Sequence, residues 1–139
     1  MLPIKKSIAD YPCYRISPDD TNYFALVMDP TTDNVSFVTV IEVFEKGGKT
    51  PPNAHDTAYE MFFVLKGEGR AWCDGNEATL KAGDVLVLPP KSEHVVENTG
   101  DGKLYCLTTM MPNEGFAELI RKGIPVTLDE EDIAVFGGL

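Results

Sequence analysis

Gly47-Gly-Lys-Thr-Pro-Pro-Asn-Ala-His-Asp-Thr-Ala-Tyr-Glu60, continuing through the apolar run Met61–Leu65 to Gly67, is the stretch that decides the fold. Pro51-Pro52 favours an extended approach to Asn53-Ala54-His55. Side chains alternate along an extended chain, so Asn53 and His55 point to one side. The polar turn Asp56-Thr57-Ala58 lets the chain double back, and Glu60 then shares a strand face with Phe62 and Val64. A carboxylate among apolar neighbours is costly to bury without a partner. The stretch Gly83 to Asn98 supplies a candidate: His94 follows the Pro89-Pro90 turn, with Val96 and Asn98 on its face. His55 and His94 are the only two histidines in the chain. Brought together with Glu60, they make a two-imidazole, one-carboxylate donor set, which suits Fe(II) and related cations.

Outward from these two stretches the chain reads as short strands separated by turn residues. Tyr23–Met28 is apolar and ends at Asp29-Pro30, and Val35–Phe44 is rich in β-branched and aromatic residues before Gly47-Gly48. Tyr59–Leu65, Arg70–Cys73, Glu77–Lys81, Val85–Leu88, His94–Asn98 and Leu104–Met110 continue the series, with Asp74-Gly75 as a hairpin turn. No helix-length segment separates these strands, which excludes a parallel sheet and predicts an antiparallel sandwich or barrel. The C-terminal end changes character. Glu114–Arg121 has helical spacing with Gly123 as its stop, and Thr127-Leu-Asp-Glu130 resembles a capping box opening a second short helix. The expectation is one domain over residues 1–139, with its motif core at 47–98 and a helical surface appendage at about 114–134.

The formal net charge of −10 argues against nucleic acid or an anionic membrane as partner. Cys13, Cys73 and Cys106 are scattered and form no C-x-x-C pair. With an opening Met1-Leu-Pro-Ile-Lys-Lys that lacks an apolar run, they suggest reduced thiols and a cytoplasmic setting. No segment reaches the roughly 20 apolar residues of a membrane span. Gly47-Gly48 and Gly67-x-Gly69 lack the strand–loop–helix setting of a phosphate cradle, and no serine or cysteine stands beside a histidine in a hydrolase-like motif. Tyr59, Phe62 and Trp72 are candidates to shape a substrate pocket, although aromatics alternating in a small barrel are more often ordinary core.

Two spacings carry a family resemblance. Gly47, five residues, Asn53-Ala-His55, four residues, Glu60, six residues, Gly67 resembles the first cupin motif. Gly83, five residues, Pro89-Pro-Lys91, two residues, His94, three residues, Asn98 resembles the second. The resemblance implies an all-β antiparallel double-stranded β-helix, the cupin or jelly-roll barrel, with short C-terminal helices. It implies one divalent metal ion (iron, manganese, nickel or zinc) held by His55, Glu60 and His94. Two positions depart from the pattern: the family has histidine where Asn53 stands and glycine where Lys91 stands. Asn53 is then either a fourth, neutral oxygen donor or a group behind a three-ligand site, and either would favour harder cations such as manganese or Fe(II). The implied function is metal-dependent chemistry on a small polar organic molecule, of dioxygenase, decarboxylase or isomerase type, with no catalytic base identified. The alternative is a small-ligand binding module, for a sugar or carboxylate, without turnover. The resemblance also implies a homodimer, to which the N-terminal strand could contribute by adding to a partner's sheet edge.

Overall fold

The computed structural model describes residues 2–137. After a 3-10 turn at Ile8–Asp10, the strands are β1 (Cys13–Arg15), β2 (Asn22–Met28), β3 (Val38–Phe44), β4 (Tyr59–Lys66), β5 (Glu68–Cys73), β6 (Asn76–Lys81), β7 (Val85–Leu88), β8 (His94–Asn98), β9 (Leu104–Met111) and β10 (Ile124–Pro125). Helix α1 (Phe116–Arg121) lies between β9 and β10, and α2 (Glu130–Gly137) follows. A seven-stranded sheet runs β10-β1-β2-β3-β9-β4-β7 and a three-stranded sheet runs β6-β5-β8. Every strand pairing is antiparallel. This is the jelly-roll architecture expected from the two motif spacings.

The segment 48–53 extends the smaller sheet. Thr50 N–H donates to Val96 O at 2.9 Å and His94 N–H donates to Asn53 O at 2.9 Å, so the first motif lies directly along β8. The motif residues that carry no chemistry hold this arrangement. Asn98 is buried, and its Nδ2 donates to the carbonyls of Phe44, Glu45 and Gly102. Gly67 adopts φ +101°, and a Cβ there would stand 2.7 Å from Lys103 O. Only glycine fits both constraints. Lys91 occupies a left-handed turn at φ 65°, a conformation that accounts for the glycine of the family pattern.

Burial follows strand parity. In β4 the odd positions Tyr59, Met61, Phe63 and Leu65 face outward, while Glu60, Phe62 and Val64 are buried. Phe62, Val64, Phe44, Leu88, Val96 and Leu104 form one interior cluster. Strands β2, β3 and β9 are buried on both faces, because α2 and the N-terminal segment cover the outer side. Asp132 of α2 anchors this cover by accepting hydrogen bonds from Tyr23 Oη at 2.7 Å and Tyr105 Oη at 2.6 Å.

The C-terminal helices are therefore not a surface appendage. Ala117 and Ile120 of α1 are fully buried against Phe24, Leu26, Val38, Val40 and Met110, and Phe116 meets Phe24 edge-on at 5.7 Å. The short strands β1 and β10 were too brief to read from the sequence. Their pairing leaves β1 flanked on both sides, by β10 and β2, so it offers no free edge to a partner.

Phe62 is completely enclosed, so Phe62→Ala should lower unfolding free energy by about 3–5 kcal/mol. Urea denaturation checks this, and a loss below 1 kcal/mol would contradict the packing described.

Candidate metal centre

Glu60 stands near the start of β4, where its parity turns the carboxylate inward between Leu88 of β7 and Met110 of β9. His94 is the first residue of β8, and His55 lies in the loop between segment 48–53 and β4. The fold brings the three together. His55 Nε2 and His94 Nε2 each lie 3.2 Å from Glu60 Oε1. One ligand atom from each residue lies within 4.8 Å of the others. The imidazoles are 5.2 Å apart between ring centres and tilted by 49°.

Hydrogen bonding fixes the direction of His94. Its Nδ1 lies 3.1 Å from Ser92 O; a carbonyl only accepts, so Nδ1 donates and Nε2 is the atom turned to the cluster. A backbone carbonyl thus takes the place that a carboxylate often fills behind a ligating imidazole. Opposite Glu60 Oε1, the Nε2 lone pairs need a proton or a cation between them. A divalent cation about 2.1 Å from two donors at right angles would set those donors roughly 3 Å apart. The spacing and the donor chemistry both fit such an ion.

The electrostatics are those of a closely coupled group. The hydrogen bond to Glu60 raises the His55 pKa above its ordinary 6.5, with burial acting against it and the charges of Glu60 and Glu114 acting with it. Burial opposes ionisation of Glu60, but its hydrogen bonds to His55 and His94 outweigh this and hold the carboxyl below its usual value. Glu114 clamps the loop that carries His55: its carboxylate accepts from the backbone of Asp56, Thr57 and Ala58 and from the Thr57 hydroxyl.

The cluster opens into a cavity of about 670 Å³, lined among others by Asn53, Asn22, Glu42, Phe24, Met110, Glu114, Phe116 and Leu119. Asn53 lies at the cavity wall, paired through its backbone with His94. The three aromatic residues proposed for the pocket do not line this space. Tyr59 is 57% exposed, because its parity is opposite to that of Glu60. Phe62 shares Glu60's face but is consumed in the interior cluster. Trp72 has the opposite parity to the inward Ala71 and Cys73 and borders a second depression, with Asp74, Gly75, Glu93, His94 and Val95. The cavity wall instead includes Phe116 and Leu119 of α1, and Glu42. The signal for Glu42 was present: it is the one acidic residue within the apolar run Val38–Phe44, on the same face as Val40 and Phe44.

The cupin domain family model matches residues 40–110, just over half of the chain. The chain belongs to the cupin family. Among curated relatives it is 35% identical over 66 residues to an uncharacterised protein of Methanocaldococcus jannaschii, covering 48% of this chain and 53% of the relative. It is 32% identical over 69 residues to the oxalate-binding protein of Thermotoga maritima, covering 45% and 57% respectively. This cupin thus spans just over half the length of those two relatives. Among solved structures, a predicted oxalate decarboxylase of Thermotoga maritima superposes with a TM-score of 0.70 at 21% identity, covering 78% of this chain and 99% of its own. The cupin domain of Schizosaccharomyces pombe Cnp3 superposes at 0.66 with 16% identity, covering 92% and 84%. These likenesses speak for the fold. No helix among the described residues is long and apolar enough to cross a membrane.

Metal uptake by this cluster should release protons. In the metal-free protein, the raised His55 pKa contributes stability that is complete below 6.5 and is lost as pH rises through the folded value. Glu60's lowered pKa contributes above its ordinary 4.5 and is lost as pH falls through the folded value. A cation replaces the proton between them, so Mn(II) titration in weak buffer at pH 6.5 should acidify the solution, and apparent affinity should rise with pH. Uptake without proton release would place the ion elsewhere. In parallel, His94→Ala should lose most bound metal and retain a folded β-sheet circular dichroism spectrum; unchanged metal content would remove His94 from the site.

Proposed function

We propose that this cupin is a metal-dependent enzyme acting on a small polar organic molecule with chelating oxygens, a carboxylate or an enol. One divalent cation would be held by His55, Glu60 and His94, with Asn53 as a fourth, oxygen donor. The observation that supports this reading is the convergence of two imidazoles and a buried carboxylate at 3.2 Å contacts on the wall of a cavity. Such an ion, when bound, supplies Lewis-acid polarisation of a coordinated oxygen and, if it is iron, access to oxygen chemistry. The chain's own residues do the rest. Ser92 O keeps His94 Nε2 directed inward. Glu114 fixes the loop bearing His55. Glu60 supplies the negative charge that partly balances a cation, and the apolar wall limits water around it. The reaction classes consistent with this arrangement are dioxygenase, decarboxylase and isomerase chemistry.

The name of the oxalate-binding relative favours a second reading: a metal-bearing pocket that captures a small carboxylate without turning it over. Protein purified without chelator and loaded with Fe(II) or Mn(II) separates the two. Oxygen consumption or carbon dioxide release with oxalate or 2-oxo acids, abolished in His94→Ala, supports the enzyme. Saturable binding with no conversion of any of these supports the module. Failure to acquire stoichiometric metal rules out the metal in both.

A homodimer is part of the same proposal, although not through the N-terminal strand. Tyr59, Met61, Phe63, Val85, Val87 and Met111 are all exposed on the outer face of β4, β7 and β9, and Met61 pairs with Val87 and Phe63 with Val85. The patch carries no charge on a chain of net charge −10. A second copy, which repels this one elsewhere, can approach here, and the apolar stripe is what a self-complementary interface requires. Val87→Glu should convert a dimer to a monomer in sedimentation at micromolar concentration; a monomeric wild type would overturn the assignment. Three free thiols, two half-buried and one buried, fit a reducing, cytoplasmic compartment.

A further inference from the structure

The size and lining of the cavity say more about the ligand than the metal donors do. At about 670 Å³, it falls in the range of roughly 300–1,000 Å³ that encloses a drug-sized molecule. A two-carbon diacid would leave most of it empty. Beyond the donor cluster Ile16, Phe24, Met110, Phe116 and Leu119 make much of the wall apolar, and Asp19, Asp20, Thr21, Lys49 and Thr50 add polar groups to it.

Glu42 is, apart from Glu60, the buried carboxylate of that wall. It is 2% exposed and lines the same cavity. Its Oε2 accepts from Asn22 Nδ2 at 2.9 Å, and no described residue hydrogen-bonds its Oε1. Its ladder neighbours are Phe24 on β2 and Cys106 on β9, so no basic side chain stands opposite. Asp20 and Glu60 are the charged groups acting on it, and neither can neutralise it. Burial, the first cause, pushes this carboxyl well above the ordinary 4.5, toward the neutral acid, and in the metal-free protein the Glu60 charge adds to it. A neutral carboxyl with one oxygen engaged by Asn22 has a hydroxyl left to donate. Native interiors rarely leave such a buried group without a ligand or water to complete it.

We propose that Glu42, held by Asn22, is a second polar anchor of the cavity, so that the ligand is larger than oxalate, with an apolar body that carries a hydrogen-bonding oxygen besides its metal-chelating oxygens. This deepens the proposed function and rests on its placement of the chelating end at His55, Glu60 and His94. Glu42 is a specificity-determining residue under this assignment, and oxalate is not the preferred ligand.

Matched probes test it. Calorimetry on Mn(II)-loaded protein compares 2-oxooctanoate with 8-hydroxy-2-oxooctanoate, and phenylpyruvate with 4-hydroxyphenylpyruvate, with oxalate as reference. The 2-oxo acids should bind more tightly than oxalate. In at least one pair the terminal hydroxyl should add roughly fivefold to tenfold in affinity. That gain should vanish in Glu42→Leu and survive in large part in Glu42→Gln, whose amide can still donate. Mn(II) affinity measured on each variant separates loss of the anchor from loss of the metal. Tighter binding of oxalate, no gain from either hydroxyl, or a gain that persists in Glu42→Leu would overturn the proposal. If the wild type takes up no Mn(II), the metal reading fails, and the same pairs measured on metal-free protein still decide whether Glu42 confers the hydroxyl-dependent gain.

Discussion

The arrangement turns on one buried carboxylate. Glu60 is 5% exposed and sits on an apolar strand face, where an unpaired charge would cost several kcal/mol. His55 reaches it across the short turn before β4, whereas His94 comes from a distant segment and meets it only through the double-sheet topology. Segment 48–53 has to lie along β8, β8 has to pair with β5, and β4 has to run between β7 and β9. The motif glycines and Asn98 serve that requirement rather than chemistry. Gly67 permits the close pass beside Lys103, and Asn98 ties the end of β8 to the carbonyls at the end of β3.

The sequence exposed the strands and the cluster because both depend on local rules. Alternation, turn residues and motif spacing located eight strands to within a few residues and brought out His55, Glu60 and His94. The same parity rule, applied to β4 and β5, would have separated Tyr59 and Trp72 from the inward face. They were singled out by residue type instead. Phe62 has the right parity, but parity cannot say how deep along a strand the cavity ends. The two-residue strand β10 and the role of α1 were hidden for a different reason: they are set by tertiary packing. Nothing local in Glu114–Arg121 tells that Phe116 and Leu119 close a cavity while Ala117 and Ile120 enter the core.

Acidic residues inside the molecule divide the interior into ends with different tasks. Glu60 is held ionised by two imidazoles. Glu42, with only an amide beside it, is pushed toward its neutral form by burial and by Glu60's charge. Asp132, on the outer side of the sheet, accepts from two tyrosines and Lys103 and fastens α2 over β2 and β9. The third is a structural pin. The first two line one cavity and differ in charge: their surroundings favour the ionised form of Glu60 and the neutral form of Glu42.

The most direct measurement is anomalous diffraction from crystals of this protein grown with Mn(II), collected on both sides of the manganese absorption edge. The account predicts one strong peak, present only above the edge, within bonding distance of His55 Nε2, Glu60 Oε1 and His94 Nε2. A peak elsewhere, or a fully saturated crystal in which these three side chains meet only water, would contradict it.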